Sequence, residues 1–140
     1  MPRNAKRFDR VLRVRTLQLG QVRAEEGRAR ARVAHEEALR ERIAQLSANV
    51  APSQAQSDAT SLIAAAHYRE RLHQSAHAAA QRVAIAEQGL SAATEATREA
   101  KRDQSAIEKL IARGEAEAAI KALRALEALP PTGKNRHDLC

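Results

Sequence analysis

Between residues 62 and 111 apolar side chains recur in alternating steps of three and four: Leu62, Ala65, Arg69, Leu72, Ala76, Ala79, Val83, Ala86, Leu90, Ala93, Thr97, Ala100, Gln104, Ile107 and Ile111. Only Arg69, Thr97 and Gln104 break the apolar character of these positions. A sustained 3.5-residue period is the spacing that keeps one helical stripe against a neighbouring helix and winds the pair left-handedly. The pattern predicts a long coiled-coil helix.

An earlier stretch follows the same rhythm with one slip. Phe8, Leu12, Leu19, Val22, Ala29 and Val33 share a phase, with Arg15 and Glu26 filling the gaps. Leu39, Ile43, Leu46 and Val50 are out of step with them by one residue. A three-residue phase insertion, a stammer, near Glu36 reconciles the two sets; two short amphipathic faces on one helix is the other reading.

Proline sets the boundaries, because inside a helix it costs roughly 3 kcal/mol. Prolines occur at 2, 52, 130 and 131 and nowhere between. The sequence therefore predicts a first helix over 4–49 with Asn4 as N-cap, and a turn over 50–57. A second helix follows over 58–129, capped by Ser57 or Asp58, and then a flexible tail over 130–140. The expected fold is all-α, a long antiparallel two-helix coiled-coil hairpin whose second helix is the longer.

With a turn centred near residue 54, facing residue numbers would total about 108, so Ile43 would meet Ala65, Val22 would meet Ala86 and Phe8 would meet Ala100. Glu26 would lie near Arg82, and Glu36 or Glu37 near Arg69 and Arg71. The first arm would end opposite residues 105–107, leaving the end of the second to overhang with Leu110, Ile111, Ile120, Leu123, Leu126 and Leu129. Apolar residues without a partner in their own chain invite another protein.

Composition fits this frame. Alanine supplies 32 of 61 hydrophobic residues, and Phe8 and Tyr68 are the only aromatics. Since burying a Leu or Phe contributes roughly 1.5–3 kcal/mol and alanine much less, a globular core of ordinary strength is not expected. The net charge of +7 is concentrated in residues 1–50, which hold 12 Lys/Arg against 6 Asp/Glu. It is densest at Arg3, Lys6, Arg7, Arg10, Arg13 and Arg15, an end that attracts something acidic.

Chemistry is sparse. Cys140 is the only cysteine and forms no prenylation box, while His73 and His77 are spaced as two helical metal ligands without a third. Five scattered glycines build no phosphate loop, and no nucleophile or zinc motif occurs. These features point to a non-enzymatic protein without cofactor or metal. A stretch of 18 apolar residues and the apolar core of a signal peptide are both lacking, so a cytoplasmic location is expected. Nucleic acid is the competing partner for the basic start and for Arg28, Arg30 and Arg32, alongside an acidic protein or membrane surface. No aromatics interleave there for base stacking, and no zipper follows in the bZIP arrangement.

From Lys6 to Leu129 the chain resembles the flagellar export protein FliJ family. The resemblance is carried by Arg7, Phe8, Asp9, Arg10, Val11, Leu12, Arg13, Val14 and Arg15, by Ala66-His67-Tyr68-Arg69-Glu70-Arg71-Leu72, and by Ser105-Ala106-Ile107-Glu108-Lys109-Leu110-Ile111-Ala112-Arg113. Low aromatic content and the proline-bounded tail depart from the family. The resemblance implies a component of the flagellar type III export apparatus, peripheral at the cytoplasmic face of the inner membrane. It would act as the stalk of the hexameric export ATPase and also touch the export gate membrane protein and export chaperones. It assigns Phe8, Arg10, Val11, Leu12, Arg13, Leu123 and Leu126 to the ATPase ring, and Leu39, Ile43, Leu46, Tyr68 and Leu72 to the gate.

Overall fold

The computed structural model describes residues 2–50 and 58–130. Two helices account for nearly all of them: α1 over Pro2–Asn49 and α2, the longer, over Ala59–Glu127. They pack against each other as an antiparallel coiled-coil hairpin, and no described residue forms a strand. α1 begins at Pro2, so Asn4 lies inside the helix and is not its cap. Proline is tolerated in a first turn, where its missing N–H has no helical acceptor. The start of α2 is closed by the Leu62 N–H donating to the Asp58 carbonyl at 3.1 Å. The expected turn at 51–57 and the tail after Pro130 lie outside the described residues.

Contacts divide the chain into two compact units, and both helices contribute to each. One is Leu17–Lys101; the other joins Met1–Thr16 to Arg102–Cys140.

In the Leu17–Lys101 unit the buried residues are Leu19, Ala29, Leu72, Ala79 and Val83. All five sit on the stripes expected from the 3.5-residue spacing. Between them Val22, Glu26, Val33, Glu36, Leu39 and Ile43 are half-buried on α1, as are Ala65, Arg69, Ala76, Ala86, Leu90, Ala93, Thr97 and Ala100 on α2. The burial along α1 steps from Val33 to Glu36 to Leu39 by threes, then to Ile43 by four. That is the stammer at Glu36, and one seam runs through both apolar sets.

The register differs from the expected one. Arg82 Nε donates to Glu36 Oε2 at 3.1 Å, and the Thr97 hydroxyl lies 3.4 Å from the Val22 carbonyl. Facing residue numbers thus total 118 and 119 instead of 108. Ile43 is level with Ala76 rather than Ala65, and Val22 with Thr97 rather than Ala86. Glu26 does not reach Arg82; it pairs at 2.6 Å with Arg30 on its own helix. Glu36 takes Arg82, so neither Arg69 nor Arg71 is its partner. Large still opposes small, through Leu19 with Ala100, Ala29 with Leu90 and Val33 with Ala86, which lets the backbones approach closely.

The displacement has a simple cause. α1 stops at Asn49, level with residues 69–70, so residues 59–68 of α2 pass its end. Leu62, expected on the seam, is therefore 45% exposed, and Ile63 and Tyr68 are exposed too. Ten helical residues rise about 15 Å, which nine linking residues, reaching about 30 Å, can span.

In the second unit Arg15 bonds Asp103 at 3.0 Å and the Gln104 amide donates to the Thr16 hydroxyl at 3.1 Å. The residue totals are again 118 and 120, which sets Phe8 level with Ile111 and not with Ala100. Phe8, Leu12, Gln104, Ile107 and Ile111 are half-buried along this stretch. Ile111 belongs to the seam and not to an overhang, and the pairing outlasts the expected limit at 105–107.

Candidate interaction surface at the helix termini

Past Ile111 every described residue of α2 is exposed. The helix nevertheless continues through Gly114, which has ordinary helical φ, to Glu127. It ends with the Ala128 N–H on the Arg124 carbonyl and the Leu129 N–H on the Leu126 carbonyl. On these final turns Ile120 is 53% exposed, Leu123 58% and Leu126 67%. At the register of this unit, Pro2 is level with residues 116–118, so α1 ends where the large apolar residues of α2 begin.

The residues assigned to the ATPase ring divide by environment. Phe8 and Leu12 are half-buried in the seam, so their side chains are mainly structural. Arg10, Arg13 and Val11 are exposed on the first turns of α1, as are Leu123 and Leu126 on the last turns of α2, all within one compact unit. Lys6 and Arg7 add exposed positive charge to the same turns.

The residues assigned to the gate divide likewise, within Leu17–Lys101. Leu72 is buried, and Leu39 and Ile43 are half-buried against the opposite helix. Leu46 at 41% exposure and Tyr68 at 47% remain open to a partner. Tyr68 sits on the stretch of α2 that passes the end of α1.

Leu17 and Ile85 are exposed apolar residues that the hydrophobic pattern did not single out. Each lies two residues beyond a seam position, on the far side of its helix. Large aliphatic residues on the non-seam side of an alanine-rich coiled coil were the available signal.

His73 and His77 are both exposed, and among the described residues no group of three or more His, Cys, Asp or Glu could hold a metal ion. No helix of the described residues is long and apolar enough to cross a membrane. The fold places the chain among antiparallel two-helix coiled coils. In comparisons with known proteins, no family model, no curated protein and no solved structure matches the chain.

Proposed function

We propose that this protein is a non-enzymatic coiled-coil component of a flagellar type III export apparatus, a stalk that seats its terminal end in the opening of the hexameric export ATPase. The supporting observation is the composite end: exposed Arg10 and Arg13 at the start of α1, with exposed Ile120, Leu123 and Leu126 on turns of α2 that outrun it. Aliphatic anchors supply contact energy when desolvated, and a basic rim steers toward an acidic ring. Leu46 and Tyr68, near the connection between the helices, are the side chains free to meet the export gate protein or a chaperone. The protein works at the cytoplasmic face of the inner membrane, promoting ring assembly and coupling hydrolysis to export.

The test is ATP hydrolysis by the purified export ATPase, with and without this chain. Arg10→Glu with Arg13→Glu, and separately Leu126→Glu, alter exposed positions and should leave the helices intact while abolishing stimulation. Full stimulation by both variants would refute the terminal contact. Tight, steeply salt-dependent binding to duplex DNA with no effect on the ATPase would favour nucleic acid instead.

A further inference from the structure

The apolar stripe on the last turns of α2 does not continue the seam. Helical geometry of about 100° per residue puts Ile120 and Leu123 roughly 150° around the helix from Ile107 and Ile111. A longer first helix following the same seam would therefore not cover them. The stripe is a second apolar face, built on residues that are all exposed.

Its layout is self-complementary. Ala116, Ile120 and Leu123 form a heptad stripe, flanked on one shoulder by Ala119 and Leu126 and on the other by Glu117 and Arg124. Laid antiparallel on a copy of itself about an axis between Ile120 and Leu123, the stripe sets each Ile120 against the other copy's Leu123. Ala119 then meets Leu126, small against large, on one shoulder. On the other, Glu117 meets Arg124 twice by symmetry, giving two ion pairs, while Glu127 at the outer edge of the stripe lies level with the other copy's Ala116. A parallel arrangement would face both charged residues with Ala119, Leu126 or their equivalents and would pair neither. In the single chain Glu117 accepts from Arg113 Nε at 3.0 Å, an exposed contact that leaves its second oxygen free to accept another bond.

We propose that the terminal turns of α2 form an isologous antiparallel dimer with a second copy of this chain, held by Ile120, Leu123 and Leu126 and set in register by Glu117 with Arg124. A face a few turns long is smaller than the roughly 800 Å² per partner of a stable complex, so the dimer is reversible. It uses the same side chains as the proposed ATPase contact, and the two are mutually exclusive: self-association covers the greasy end until a ring takes it. The dimer stands independently of that reading, because the assay below contains no ATPase.

Analytical ultracentrifugation of the full chain, carrying Cys140→Ser to exclude disulfide linkage, tests it. The mass should climb from one chain toward two between about 1 μM and 1 mM. Leu123→Glu should hold it at one chain, with helicity by circular dichroism unchanged. Glu117→Arg and Arg124→Glu should each weaken association by about tenfold, and an equimolar mixture of the two variants should restore it to within about threefold, since both cross-pairs are then opposite in sign. A single-chain mass throughout the range would overturn the proposal. So would an unchanged mass for Leu123→Glu, or a mixture that associates no better than its components.

Discussion

Glu36 and Arg82 are bonded across the helix pair at 3.1 Å, at the residue where the apolar spacing of α1 slips by a stammer. A stammer overwinds its helix locally and sets two three-residue steps around one seam residue. Here that residue is an acid, 23% exposed, and a guanidinium from α2 meets it. The pair is the mark by which one helix is aligned with the other.

A double-mutant cycle with Glu36→Gln and Arg82→Gln measures its worth. The arginine side is half exposed, so the coupling should be about 0.5–1 kcal/mol in urea unfolding and should fall as salt rises. A coupling of zero at low salt would remove Glu36–Arg82 as an alignment device.

Leu19 and Leu17 stand two residues apart with opposite fates. Leu19 is 4% exposed on the seam and Leu17 is 70% exposed. Leu19→Ala should cost about 2–3 kcal/mol by losing buried area and leaving a gap beside Ala100, whereas Leu17→Ala should stay within about 0.5 kcal/mol. Equal costs would place the seam elsewhere.

Gly27 and Gly89 occupy helix interiors where an added Cβ would meet nothing within 4 Å. Alanine at either position should stabilise the fold by roughly 0.5–1 kcal/mol, because it narrows the unfolded ensemble without a clash. Thermal unfolding of the single and double variants checks this, with the two gains adding.

Gln104 and Thr97 are polar residues on an otherwise apolar seam. The Thr97 hydroxyl donates to the Ala93 carbonyl at 3.1 Å with a longer leg to Val22, and Gln104 donates to Thr16. Such residues specify alignment at a cost in stability. Gln104→Leu should raise stability by about 1 kcal/mol while broadening the inter-helix distance distribution near Thr16. A sharper distribution would mean that Gln104 has no part in alignment.

These polar contacts also explain what the sequence could and could not reveal. The seam of α2 was legible from periodicity alone: of its fifteen expected positions only Leu62 is exposed, for want of helix opposite it. The stammer at Glu36 was one of two arrangements that the spacing of Val33 and Leu39 allowed, and the half-burial of Glu36 between them selects it. The register was not. An alanine-rich seam offers similar apolar contacts at several offsets, so its energy discriminates poorly among them. Alignment depends on Glu36 with Arg82, Arg15 with Asp103, and Gln104 with Thr16, none of which a period can locate. The assumption of a symmetric turn then moved each facing pair by about eleven residues, or three helical turns. For the candidate surface, composition and order pointed to Leu123 and Leu126, but the direction of their stripe emerged only once Ile107 and Ile111 were fixed in the seam.

Inter-helix distance in the Leu17–Lys101 unit tests the alignment most directly. Spin labels at His35 and Ala84, both exposed and level in the observed register, should give a distance clearly shorter than labels at His35 and His73, which the symmetric turn would make level. Eleven residues along a helix separate the two sites by about 16 Å, well within the resolution of electron–electron double resonance. The account predicts the shorter distance for His35 with Ala84. The reverse order would contradict it, and so would two long distances, which would mean that α2 does not fold back on α1.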